Sequence, residues 1–200
     1  MALVTGAGVG NFRVKQQQVS VGYNNIWLLL LAAAFAQDNG GLYTATGEPL
    51  LQALWRTCIT DCKVYPIRRL DANDIDRGNE LFKGILGRDL DERDLGRILT
   101  KGFEKLRSSP MWSRNQRNWA LFTSDDGLFV VARSHVMSGD IIVIAEGGKV
   151  PFVLRPTRRH GSHGDYLEFV SASYVHGYMD RNLYGRDIEG NMGRREFFTV

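Results

Sequence analysis

His176 stands between Tyr174 and Tyr178 in the stretch SYVHGYMD. An imidazole among phenols can move a proton near neutral pH. Glu168 offers a second acid or base if its strand face enters a pocket, and Asp180 can orient His176 if the chain turns back on itself. Arg155, at the end of an apolar run, brings a guanidinium suited to clamping a carboxylate or an oxyanion. The set predicts His176, Glu168 and Asp180 as catalytic groups, with Arg155, Tyr174 and Tyr178 as ligand contacts. Trp55, Trp112 and Trp119 would give such a site an apolar wall. The matching chemistry is isomerisation or cyclisation of a small hydrophobic metabolite. Each residue also has an ordinary reading: a histidine satisfying hydrogen bonds at a strand end, an exposed glutamate, and tryptophans filling a core.

Metal and cofactor signals are weaker. His160, His163 and Asp165 have donor types that zinc accepts, but they sit in a glycine-rich loop pattern without the helical placement of a zinc-protease motif. Cys58 and Cys62 lie one helical turn apart and make neither a zinc quartet nor a disulfide framework, so reduced thiols in a cytoplasmic protein are expected. The glycine run GAGVG follows only five residues, too few for the strand that must precede a dinucleotide-binding loop. No cofactor and no metal are predicted.

The bulk properties narrow the partners. A chain of 200 residues, 44% hydrophobic and 24% charged, can bury a substantial core. A formal charge of +3, with basic residues scattered except at Arg155, Arg158 and Arg159, lacks the concentrated footprint of a dedicated nucleic-acid binder. The most apolar run, Ile26 to Ala36, has eleven residues, well short of the roughly 20 a membrane-spanning helix needs. It reads as a buried helix, and the mixed, polar residues before it do not form a secretory leader. The partners left are an unidentified protein or a small hydrophobic metabolite, with nucleic acid and a transmembrane segment disfavoured.

These groups must be positioned by two kinds of element. A short extended segment is expected near Phe12 to Val21. Pro49 can open a helix whose Leu51, Leu54, Trp55 and Cys58 fall on one face. Asp71 to Leu90 and Asp91 to Leu106 also carry helical spacing, the first interrupted by Gly78, Gly84 and Gly87. After Ser108, Ser109 and Pro110 the pattern changes to short extended runs: Trp119–Thr123, Leu128–Val131, Asp140–Ala145, Pro151–Arg155, Tyr166–Ser171 and Ser173–His176. In DIIVIA, apolar side chains point both ways, which predicts a strand covered on both faces, and Asp140 is placed to accept backbone donors in the preceding turn. The predicted class is α+β, with upstream helices (1–110) packed against a small carboxyl-terminal antiparallel β-barrel or strongly curved sheet (111–200).

The combination GDIIVIAEGGKVPFVLRP, then YLEFVSASYVHGYM, resembles the carboxyl-terminal region of fungal heterokaryon-incompatibility (HET) domain proteins. FTSDDGLFVVA looks like the strand pair before that hairpin, and ALWRTC gives earlier support. After Met179 the chain has Asp180, Arg181 and Asn182 where the family often has a glycine–glutamate pair. The resemblance implies a link to fungal non-self recognition and programmed cell death. It also implies that the amino-terminal signalling domain of such proteins lies outside this sequence. The expected role is a protein-interaction or regulatory module without autonomous cell-death activity.

Overall fold

The computed structural model describes residues 2–4, 12–13, 41–85, 97, 101, 119–144, 149–161, 164–179 and 197–199. In chain order the elements are β1 (Ala2–Val4), β2 (Phe12–Arg13), α1 (Leu50–Cys58), β3 (Cys62–Lys63), β4 (Arg68–Arg69), α2 (Ala72–Ile85), β5 (Trp119–Thr123), β6 (Phe129–Arg133), β7 (Ile141–Val143), β8 (Phe152–Gly161), β9 (Gly164–Ala172), β10 (Tyr174–Val175) and β11 (Phe197–Thr199). They fall into two compact units, one made of Met1–Gln18 with Phe122–Val200 and the other of Val19–Leu121. The helix expected over Ile26–Ala36 lies outside the described residues, as does that over Asp91–Leu106 except for Arg97 and Lys101, which are helical and exposed.

In the Val19–Leu121 unit, α1 buries Leu51, Leu54, Trp55 and Cys58, the face set by their helical spacing. The Trp55 ring stacks on Phe82 of α2 at a centroid distance of 5.7 Å. Gly78 is what lets the two helices meet, because a Cβ there would lie 2.5 Å from Cη2 of Trp55. Trp55 Nε1 donates to Asn79 Oδ1 (3.1 Å), Asn79 Nδ2 to Gln52 Oε1 (2.7 Å), and Gln52 Nε2 to Glu48 Oε2 (2.6 Å). Arg56 extends the chain of polar contacts to Glu48 (2.6 Å) and Asp61 (2.7 Å). Burial disfavours the Arg56 cation, yet the Asp61 and Glu48 carboxylates outweigh it and raise its pKa.

α1 ends in a Schellman arrangement: Asp61 N–H reaches Arg56 O (2.8 Å) and Thr60 N–H reaches Thr57 O (2.9 Å). Thr60, at φ 53, therefore occupies the left-handed position that glycine usually fills. Thr60→Gly is expected to stabilise the protein by about 1 kcal/mol by removing the Cβ penalty. A rise in the urea midpoint at unchanged slope is the readout.

β3 and β4 pair antiparallel, Cys62 with Arg69 and Lys63 with Arg68. This hairpin is tied to the start of α2. Asp71 Oδ1 accepts Asp74 N–H (3.0 Å) and Asp74 Oδ2 accepts Asp71 N–H (3.3 Å), a reciprocal cap. The buried Asp74 carboxylate also receives Lys63 and, at 2.8 Å, Arg68. Burial alone would raise the Asp74 carboxyl, but Lys63, the Asp71 amide and Arg68 hold it below the usual carboxylate range. A depressed pKa contributes stability above the unfolded value near ~4 and loses it as pH falls through the folded value. Asp74→Asn should lower stability at pH 7 and flatten its decline on acidification, as followed by thermal melts from pH 7 to 3.

The other unit carries most of the strands, β5 crossing the boundary between the two. The expectation of a barrel or strongly curved sheet is overturned: a six-stranded sheet runs β1-β11-β9-β8-β7-β2, a three-stranded sheet β10-β6-β5, and neither closes or curls strongly. The pairing explains why. β9 and β10 are consecutive with only Ser173 between them, yet they join different sheets. Ser173 N–H goes to Pro151 O beside β8 (2.9 Å), whereas His176 N–H goes to Phe129 O of β6 (3.0 Å). The ladder is thus handed to a new partner at this point instead of continuing around a ring. Pairing is antiparallel except between β11 and β9, which run parallel with Thr199 opposite Leu167. β1 pairs with β11, Ala2 opposite Thr199, and β2 pairs with β7, Phe12 opposite Ile142.

β7 is flanked on both edges, by β8 and β2, and Ile142, Val143 and Ile144 are buried. The register puts Ile141 opposite Leu154, Val143 opposite Phe152 and Leu154 opposite Phe169, so these five share one face. Val143, Leu154 and Leu167 form a buried cluster there, with Ile141 and Phe152 against it. Phe169, expected within the covered sheet, is 55% exposed.

Candidate functional site

One polar cluster sits where β6 turns towards β7. The turn is closed by Asp140 N–H to Met137 O (3.1 Å), and Gly139 supplies its positive φ of 90°. Asp140 is 2% exposed, and its Oδ2 accepts Met137 N–H at 2.8 Å. From β8, Arg155 makes a two-pronged pair with it, Nε to Oδ1 and Nη2 to Oδ2, both 2.8 Å. Arg155 Nη2 also donates to His135 O at 3.0 Å. The Asp140 hydrogen bond raises the Arg155 pKa against the opposing effect of burial, with help from the charges of Asp140 and Glu168. Glu168 is exposed and lies across the ladder from Arg155. Next to it, His135 Nε2 donates to Val170 O (3.2 Å) where the β8–β9 register shifts.

His176 and Tyr174 form the second cluster. Tyr174 Oη lies 2.8 Å from His176 Nδ1, their ring centroids are 6.1 Å apart, and His176 is 2% exposed. Tyr178 is half-buried, and its N–H caps the turn on Val175 O at 3.0 Å. The structure therefore brings Tyr174 to His176 and Arg155 to Glu168, but in different sheets: His176 follows β10, while Glu168 lies in β9. The isomerase and cyclase expectation finds no support in this arrangement: Glu168 is exposed on β9 of the six-stranded sheet, whereas His176 is buried after β10 of the three-stranded sheet.

Trp55 is buried in the helix pair, where Phe82 covers one ring face and α2 closes on it at Gly78. Trp119 is half-buried at the start of β5. Trp112 and Asp180 lie outside the described residues, as do the side chains of His160, His163 and Asp165. Among the described residues, no group of His, Cys, Asp or Glu is placed to hold a metal ion. Burial pushes the Cys58 thiol up to about 12, so it stays protonated. Among the described residues, no helix is long and apolar enough to cross a membrane.

Two functional features escape the sequence reading. Asp140 is foreseen as a turn acceptor but its partner is not, although an aspartate at one strand's entrance and an arginine at the next strand's end is a pairing that a hairpin permits. The Asp71/Asp74 anchor of the β3–β4 hairpin also goes unseen, though its D-x-x-D spacing before an apolar helix is a capping signal.

No curated protein and no solved structure matches the chain. The family model of the Het-6 beta-barrel domain matches residues 109–200. That match contains both GDIIVIAEGGKVPFVLRP and YLEFVSASYVHGYM, and the described strands of the segment form open sheets. Residues 109–200 of this chain therefore belong to the Het-6 beta-barrel domain family.

Proposed function

We propose that the chain is a non-catalytic protein-interaction module of the heterokaryon-incompatibility type, with the apolar face of its six-stranded sheet as the contact surface. The observation that carries this reading is Phe169: a large aromatic, 55% exposed, edge-on to Phe152 at 5.9 Å above buried Val143, Leu154 and Leu167. Exposed aromatics backed by a packed layer are the form that interface anchors take, since little entropy is lost when they bind. In the same reading His176 is a strand-end anchor, with its ring held by Tyr174. Arg155 joins strands through Asp140 and so favours a rigid surface over a substrate clamp.

The test is a quantitative pull-down of chemically cross-linked complexes from host cells, comparing wild type with Phe169→Asp. Recovery of bound proteins should fall by about tenfold or more, the loss expected of an interface anchor. The Phe169→Asp thermal melt should move little, because the side chain is mostly exposed. Equal recovery from the two proteins would remove this face from the proposal.

A further inference from the structure

Among the described residues between the buried Asp61 and Leu70, none is fully buried, and the largest apolar side chains there, Tyr65 and Ile67, are 75% and 86% exposed. This is the β3–β4 hairpin, whose strands have two residues each. So short a ladder is marginal in water, and apolar burial adds little to it. What holds it is polar and converges on one carboxylate. Lys63 from β3 and Arg68 from β4, the latter at 2.8 Å, both pair with Asp74 in the first turn of α2. The remaining ties are Arg68 to the exposed Asp71 (2.9 Å) and Arg69 Nη1 to Thr60 O (3.1 Å).

The two sides of this contact are supported unequally. Asp74 is 3% exposed on a helix that Phe82 packs against Trp55, so the carboxylate stays where α2 puts it. Lys63, the Asp71 amide and Arg68 keep it ionised at neutral pH against the effect of burial. The cations stand on strands that have no core of their own. Segments with few buried apolar contacts open at free energies well below that of the whole fold. Leu70 N–H donates to Asp61 O (3.2 Å), which keeps the two buried ends together when the strands between them part.

We propose that the β3–β4 hairpin is a strap latched to the buried Asp74 carboxylate, and that it opens as a unit between Asp61 and Leu70 while α1 and α2 stay packed. Both strands share one keeper, so withdrawing it frees Lys63 and Arg68 together. The device lies within the Val19–Leu121 unit and does not depend on the Phe169 face.

The test is amide hydrogen exchange of the full chain at pH 7, read by mass spectrometry on peptides covering residues 61–70 and 50–58. Asp74→Asn removes the charge and keeps an oxygen for the Asp71 amide. Exchange in the 61–70 peptide should quicken by about tenfold or more, as when a buried ion pair loses one partner, while the α1 peptide changes far less. Arg68→Gln removes one of the two cations and should quicken the same peptide by a smaller factor; it carries the test if Asp74→Asn does not fold. Asp71→Asn, which alters an exposed pair and retains the cap, should leave both peptides near wild type. Equal acceleration of the two peptides would mean that the whole unit loosens and that no strap exists. Unchanged exchange in 61–70, or wild-type exchange there already as fast as in an unfolded peptide, would equally overturn the proposal.

Discussion

Trp55→Ala is expected to destabilise the protein by about 4 kcal/mol, within the range measured for deleting a fully buried tryptophan side chain. The ring is 0% exposed, stacked on Phe82 and closed over by α2 at Gly78. Its removal leaves a cavity between two helices that cannot approach further without moving their backbones. It also strips Asn79 Oδ1 of its donor and loosens the chain that runs through Gln52 to Glu48 and Arg56. Trp55→Phe should restore much of the packing and leave a loss of about 1–2 kcal/mol for the missing indole donor. Gly78→Ala attacks the same contact from the other side and should cost about 1–3 kcal/mol through overpacking, although alanine is the better helix former. Urea unfolding of the three variants provides the comparison. A Gly78→Ala protein as stable as wild type would show that the helices do not meet at this glycine.

Arg155→Ala is the second large effect, at about 3 kcal/mol, the lower end of the range for removing one partner of a buried ion pair. The loss comes mainly from Asp140, which is 2% exposed and would lose its cationic partner while retaining the Met137 amide. Asp140→Asn should be milder: it removes the charge, retains a carbonyl oxygen for one Arg155 hydrogen bond, and leaves the more exposed guanidinium able to reach water. The two substitutions combined should be less damaging than the sum of the singles, since each removes the same pair. Additive losses in that cycle would mean that the pair contributes nothing beyond its separate members.

Part of this architecture can be read from the chain because periodicity is local. Leu51, Leu54, Trp55 and Cys58 mark one helical face, and all four are buried in α1. The runs predicted at Trp119–Thr123 and Tyr166–Ser171 coincide with or fall inside β5 and β9. Partner choice is not local, and there the reading fails. Alternation in SASYV cannot reveal that the ladder changes hands at Ser173, so a series of short strands suggests a closed ring where the chain builds separate sheets. Gly78 looks like a weakness in a helix until Trp55, from another helix, is placed against it. The β3–β4 hairpin has two-residue strands, too short for a periodic signal, and its stability comes from ion pairs to Asp71 and Asp74. The candidate site was legible as residue types: Asp140 as a turn acceptor and Arg155 as a carboxylate partner are each readable alone. Only the fold puts them 2.8 Å apart.

The pairing of Ala2 with Thr199 has a consequence for biosynthesis. β1 is synthesised long before β11, so that margin of the sheet waits for a strand far along the chain. Contacts of such long sequence separation slow folding. Until β11 arrives, the waiting segment keeps unpaired amides that chaperones or a foreign strand can engage.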